Sequence, residues 1–285
     1  MDDDNNRSTA KNDPTQAEGK PKEQKGEGLK SNTKARRQIC HRCNRPLPAA
    51  CICEALPEVP IKLDRTGIVV LQHPHELKIK NRSIPILELC LDDSSLGLCV
   101  GRRFDKELID PKIIEILEAP DHLPVLFFPP DNDEKDVISL IEAKKIINDK
   151  LPEGGKVIIV ALDATWKYAK EMHRANLQEN LYPSNLIRVS LQPSDFPKDW
   201  VSGRFNIRTT PKKGESTLGF MSTVECIAWA ASELGGPNNS KDLFATLMKP
   251  LDLMVAKWNA FCKQPKVRKT KAPQKKRRRD EYESS

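Results

Sequence analysis

The chain has 285 residues and a formal net charge of +7, enough length for one sizeable domain or two small ones. No apolar run approaches the roughly 18 residues that a membrane span needs, and the Asp/Asn-rich start lacks an apolar signal core, so neither membrane insertion nor secretion is expected. The charge is unevenly placed: residues 1–37 carry +2, the segment from Lys263 onward carries +7, and residues 38–262 therefore sum to −2. Affinity for nucleic acid must then come from a local patch or from the tail, because the middle of the chain is not broadly basic.

Residues 1–37 are rich in Lys, Asn, Gly, Glu and Asp and cannot bury enough apolar surface to offset ordering, so they are expected to be disordered. Residues 38–60 form a Cys/Pro-rich module. From 61 to 262, short apolar runs alternate with amphipathic stretches. Gly67–Gln72 reads as a strand. Ile79–Leu91 reads as a helix whose start Pro85 should kink or displace. Leu108, Ile109, Ile113, Ile114 and Leu117 suggest a helix with Pro111 near its first turn. Val125–Phe128 is a short strand closed by Pro129 and Pro130. Val137–Ile147 has helical spacing, Val157–Leu162 is the central strand, and a helix follows from Thr165. A strand near Leu186–Val189 precedes two helices, around Met221–Leu234 and Lys241–Phe261. This alternation predicts an α/β fold with a largely parallel sheet flanked by helices, beside a small N-terminal four-cysteine zinc module.

Eight cysteines in a non-secreted chain need not mean disulfides. Four of them, Cys40, Cys43, Cys51 and Cys53, sit within fourteen residues. Cys-x-x-Cys supplies one pair of ligands on a tight turn and Cys-x-Cys supplies a second. Zinc takes four such thiolates tetrahedrally, leaving no open position, so a structural role follows. The alternatives are four free thiols or a redox pair, and His41 is a weaker candidate ligand.

Three further clusters carry chemistry. His73-Pro-His-Glu76 follows the first strand, where ligands of open α/β sheets bind. His73 and Glu76 then belong to a ligand pocket, with Lys78, Lys80 and Arg82 nearby for anionic groups; the plainer reading is a polar loop with a helix start at Glu76. Asp163-Ala-Thr165-Trp166 ends the central strand. Asp163 or Thr165 could simply cap the next helix, with Trp166 as a core plug. Ser222-Thr223-Val-Glu225 has the spacing of a capping box, and a helix start also offers N–H groups to an anion. Arg208, with Arg204, Lys212 and Lys213 nearby, could grip phosphate or the carboxylate of a cofactor; the plainer reading is a solvated basic loop. No dinucleotide-binding glycine motif, Walker lysine loop or serine-hydrolase elbow is present, so dehydrogenase, P-loop NTPase and serine-hydrolase readings fall away.

Cys-x-x-Cys with Cys-x-Cys, His-Pro-x-Glu, Asp-x-Thr-Trp and Ser-Thr-x-Glu, in that order across residues 38–262, resemble the DTW-domain family of tRNA-uridine aminocarboxypropyltransferases. Val224 and Cys226 depart from the family's helix start. The resemblance implies a SPOUT-like α/β catalytic domain with a knotted cofactor site. It also implies transfer of an aminocarboxypropyl group from S-adenosylmethionine to N3 of a tRNA uridine, leaving methylthioadenosine. Asp163 is then the first candidate to accept the imide proton and Glu76 the second, with Thr165 and Trp166 in the same catalytic group. His73, Arg208, Ser222, Thr223 and Glu225 fall to the donor's side.

Two other readings stand beside it: a SPOUT-type RNA methyltransferase and a noncatalytic zinc-containing RNA-binding protein. The tail, residues 263–285, contains Lys275-Lys-Arg-Arg-Arg279, a pattern suited to an import receptor or to nonspecific RNA contact. A location in nucleus, cytoplasm or both is expected from it.

Overall fold

A computed structural model of the protein describes residues 37–79, 81–130, 136–196, 221–235 and 240–263. Residues 1–36 and 264–285, and with them nearly all of the two terminal segments set apart by composition, lie outside the described residues, as do Arg204, Arg208, Lys212 and Lys213.

Six strands pair in parallel: β1 (Thr66–Gln72), β2 (Leu96–Val100), β3 (His122–Phe127), β4 (Val137–Ser139), β5 (Lys156–Asp163) and β6 (Ile187–Ser190). Their order is β2-β1-β5-β3-β6-β4. The chain therefore lays strands on both sides before β5 slots between β1 and β3. Helices α1 (Ile84–Cys90), α2 (Pro111–Glu118), α3 (Leu140–Lys150), α4 (Trp166–Gln178), α5 (Thr223–Leu234) and α6 (Ser240–Lys263) connect or follow them. Among the described residues, no helix is long and apolar enough to cross a membrane.

The period-two alternation of strand side chains builds two cores. Ile68, Val70, Val125, Val157, Ile159 and Ala161 face one side, against Leu87 of α1, Ala143 of α3, Ile227 of α5 and Leu247 of α6. Val69, Leu71, Leu126, Ile158, Val160 and Leu162 face the other, against Ile113 and Leu117 of α2 and Ala169 and Met172 of α4. Both faces are covered, which is why β1 and β5 read as continuous apolar runs. Cys40, Cys43, Ile52 and Leu56 belong to the first core, so the cysteine-rich segment packs on the same side as α1, α5 and α6.

Most expected elements form, and three differ. Pro85 stands in the first turn of α1, so the helix starts at Ile84 rather than Ile79. Val137–Ser139 is strand and not helix: Ser139 is extended, and its hydroxyl and the Glu142 carboxylate form a capping box that begins α3 at Leu140. β2 has no counterpart among the expected strands. At the other helix start anticipated near a proline, Asp110 caps α2 by accepting from the Lys112 N–H, with Pro111 in the first turn.

The turn into β5 is tight. A Cβ on Gly155 would stand 2.5 Å from the carbonyl oxygen of Asp121, a backbone atom with little room to yield. Gly155→Ala is therefore expected to cost about 1–3 kcal/mol, read as a lower urea midpoint at unchanged slope.

Candidate active site and metal centre

Gln72 and Asp163 are the last residues of β1 and β5 and face each other across the sheet. The His73 N–H donates to the Asp163 carbonyl at 2.9 Å, extending the pairing one step past the strand. The Asp163 side chain is buried. The Gln72 amide donates to its Oδ2 at 2.7 Å, and the Thr223 hydroxyl donates to its Oδ1 at 2.7 Å. One carboxylate thus joins β1, β5 and the first turn of α5. Asp163 does not cap α4. Thr165 occupies that position with an extended backbone, but its exposed side chain makes no capping hydrogen bond. Thr165 is therefore the N-cap by position, without a side-chain capping bond.

His73 is buried and lies flat on the Tyr168 ring, centroids 4.4 Å apart and planes within 9°. Its Nδ1 accepts the His75 N–H at 3.2 Å, which leaves Nε2 to carry the proton of the neutral ring. Burial, helped by the charges of His75 and Arg102, holds its pKa below the ordinary histidine value. Glu76 is buried one turn on, its N–H donating to the His73 carbonyl at 2.9 Å.

Trp166 is 46% exposed, so it is not a core plug. Its inner face stacks on Phe128, at 5.5 Å and 19°, and the Lys170 ammonium lies 5.3 Å from the indole. Phe128 in turn meets His173 at 4.4 Å, and His173 shares a 3.0 Å hydrogen bond with the Tyr182 hydroxyl.

Ser222 and Glu225 form the expected capping box: the Ser222 hydroxyl accepts from the Glu225 N–H, and the Glu225 carboxylate accepts from the Ser222 N–H. The box leaves the N–H groups of Thr223 and Val224, which take no partner among the described residues.

The four expected metal ligands also converge. The sulfurs of Cys40, Cys43, Cys51 and Cys53 all lie within 4.8 Å of one another, with Cys40 3.4 Å from Cys53 and Cys43 3.7 Å from Cys51. The backbone N–H groups of Cys43 and Arg42 pull the Cys40 thiol down to about 6, whereas burial and the neighbouring thiols push Cys53 up to about 12. Such a set fits one soft divalent cation. His41 is exposed and stands outside it. The Lys257 ammonium of α6 closes over the loop, donating to the Cys51 carbonyl at 2.6 Å and pairing with Glu54 at 3.2 Å. Cys90 and Cys99 are different: burial raises both to about 12, which makes them inert packing groups.

The family model of the DTW domain matches residues 37–259, which include both the sulfur cluster and the strand-end residues. The chain belongs to the DTW domain family. Among curated proteins, the DTW chain is 29% identical over 219 residues to tRNA-uridine aminocarboxypropyltransferase 2 of Macaca fascicularis, covering 77% of this chain and 63% of that one. It is 29% identical over 225 residues to the Drosophila melanogaster protein of the same name, covering 79% and 76%. It is 31% identical over 159 residues to tRNA-uridine aminocarboxypropyltransferase A of Arabidopsis thaliana, covering 55% and 57%. The chain thus spans under two thirds of the length of the macaque and Arabidopsis relatives. No solved structure matches.

Within this DTW domain, Thr223 meets the Asp163 carboxylate, and His73 and Glu76 follow in the backbone chain of hydrogen bonds that leaves the Asp163 carbonyl; Ser222 and Glu225 cap the helix that carries Thr223, and Thr165 and Trp166 follow Asp163 in sequence. Arg208 lies outside the described residues. Gln72, bonded to Asp163, and Tyr168, stacked on His73, adjoin the candidate site and carry no local sequence signal.

Replacing the Thr223 hydroxyl should leave a buried carboxylate oxygen short of a donor. Thr223→Val is expected to destabilise the domain by about 1–3 kcal/mol, whereas Thr223→Ser should stay near wild type in thermal unfolding.

Proposed function

We propose that this chain transfers the 3-amino-3-carboxypropyl group of S-adenosylmethionine to N3 of a uridine in tRNA, releasing methylthioadenosine. Relatives that align over 55–79% of this chain bear the name tRNA-uridine aminocarboxypropyltransferase. The observation that carries the reading is the buried carboxylate of Asp163, held by two hydrogen bonds at the carboxyl ends of β1 and β5.

When bound, the donor supplies a carbon already activated by its sulfonium leaving group, so the protein's work is positioning and proton removal. N3 of uridine is a weak acid and must lose its proton to attack. Asp163 receives that proton. A carboxylate offers about four acceptor positions; Gln72 and Thr223 orient it from two sides. Glu76, buried one turn beyond His73, is the second candidate. The open N–H groups of Thr223 and Val224 suit the carboxylate of an amino-acid moiety, with Ser222 and Glu225 fixing the helix start that presents them. His73 lines the same side on its Tyr168 support, and Arg208 adds a charged grip on the grounds of sequence. Trp166 offers a half-exposed ring to a nucleobase, as stacking platforms do, and the exposed Thr165 hydroxyl stands beside it.

The same reading assigns zinc to Cys40, Cys43, Cys51 and Cys53, a SPOUT-like class to the α/β domain, and the division 1–37, 38–60, 61–262 and 263–285 to the chain. The basic tail then serves RNA contact or an import receptor, with the protein in nucleus, cytoplasm or both.

The test is mass spectrometry of nucleosides from unmodified tRNA incubated with the protein and S-adenosylmethionine. Aminocarboxypropyluridine supports the reading, and a methylated nucleoside replaces it with a methyltransferase. No product from folded, metal-loaded protein on several tRNAs replaces it with RNA binding alone. Asp163→Asn should lower the rate about 100-fold or more while circular dichroism is unchanged.

Chelation should lower the thermal midpoint by roughly 4–8 °C, as a loss of about 2 kcal/mol does in a domain of this size. Metal affinity should rise with pH. At neutrality Cys51 and Cys53, both with raised pKa values, hold protons that the metal must displace. The metal's contribution is thus present at high pH and lost as pH falls, which titration calorimetry in two buffers would read as proton release.

A further inference from the structure

Two arginines sit at the seam between the cysteine turn and the loop that carries His73 and Glu76. Arg45 follows Cys43 and is half-buried; Arg82 closes the loop just before α1 and is also half-buried. The Arg45 guanidinium donates to the Arg82 carbonyl at 3.5 Å, and the Arg82 guanidinium donates to the Leu77 carbonyl at 3.4 Å. Both contacts are at the long, weak end of hydrogen bonding, so most of the roughly ten N–H donors that two guanidiniums carry remain available. Neither group forms an ion pair with a carboxylate among the described residues. Other arginines of this chain do: Arg103 meets Glu179 and Arg188 meets Asp136.

The Arg45 guanidinium reaches the backbone of Arg82 and feels the Arg82 charge, so two cations share this seam with no acid paired to either among the described residues, and an anion that joins them relieves their repulsion. The surroundings fit a strand of nucleic acid better than a small ion. Arg42 and Lys78 are exposed nearby in sequence, and Leu77 and Ile79 present exposed apolar surface on the same loop. We propose that Arg45 and Arg82 together bind a backbone phosphate of the RNA substrate, in the forked geometry that guanidinium offers to phosphate. The site rests on the tRNA reading above. It would bring the strand along the very loop that leads back to Glu76 and His73.

The competing role is that Arg45 merely balances the charge of the thiolates beside it. Arg82, farther along the chain, separates the two. The experiment measures tRNA binding by the full metal-loaded chain at several salt concentrations, for wild type, Arg45→Gln, Arg82→Gln and the double variant, with metal content, thermal midpoint and nucleoside product read from the same samples.

Because the two arginines share one phosphate, the double variant should reduce the slope of log K against log salt by about 1, with each single variant in between. At low salt the double variant should bind about tenfold or more weakly, converging on wild type at high salt, with metal content and midpoint retained. Equal slopes in all four proteins overturn the proposal. So does loss of metal in Arg45→Gln together with an unchanged slope in Arg82→Gln. A wild type that binds through these arginines yet yields no aminocarboxypropyluridine would leave the phosphate site standing and remove the proposed reaction; normal product with equal slopes would do the reverse.

Discussion

Two hydrogen bonds of 2.7 Å hold the Asp163 carboxylate between Gln72 and Thr223. Withdrawing a carboxylate from water costs several kcal/mol unless donors replace the lost solvent. Here the replacement comes from two other elements of the fold, the end of β1 and the start of α5. The charge can be buried only if those elements are in place, and they are fixed in turn by having to reach it. The rest of the strand-end arrangement follows from this constraint. The β1–β5 pairing runs on through the His73 N–H to the Asp163 carbonyl, so His73 and Glu76 leave the sheet in a set direction. Thr223 is committed to Asp163, so the capping of α5 falls to Ser222 and Glu225.

Much of this is legible in the residues, and the reasons are specific. β1 and β5 are apolar runs because both faces of a parallel sheet are covered, and such runs end abruptly where polar site residues begin. Pro85 and Pro111 mark helix starts because a ring nitrogen is harmless in a first turn. β2 is not legible: Leu96–Val100 is short, lies at an edge, is buried at only one of its five positions, and contains a glycine. β4 is hidden because Val137 and Ile138 keep helical spacing with the apolar residues of α3, and only the Ser139–Glu142 box shows where the helix starts. Gln72 escapes notice because its function lies in a partner 91 positions away, which no local pattern carries. Trp166 looks like core by composition; its exposure depends on Phe128 arriving from another strand to support one face.

The charge distribution has a similar logic. A segment summing to −2 between residues 38 and 262 would repel a polyanion if its charges were spread evenly. They are not. Acidic groups are drawn into caps and pairs, such as Glu142 on Ser139, Glu179 on Arg103 and Glu54 on Lys257. Net charge is therefore a poor guide to the local field over the site, and the sign of a patch depends on which side chains have already been neutralised.

The bridge from Lys257 to the Cys51 carbonyl spans 206 positions of chain. During synthesis at about 5–20 residues per second, the four thiols emerge from the ribosome roughly 10–40 s before the helix that covers their loop. For that interval the nascent segment has its ligands but not its roof. A cation of the kind proposed for this cluster would enter from open solvent and leave as easily; once Lys257 and the rest of α6 dock, its exchange would wait for a helix to lift. If the four thiols hold a cation as proposed, the docking of α6 would convert an equilibrium site into a slowly exchanging one.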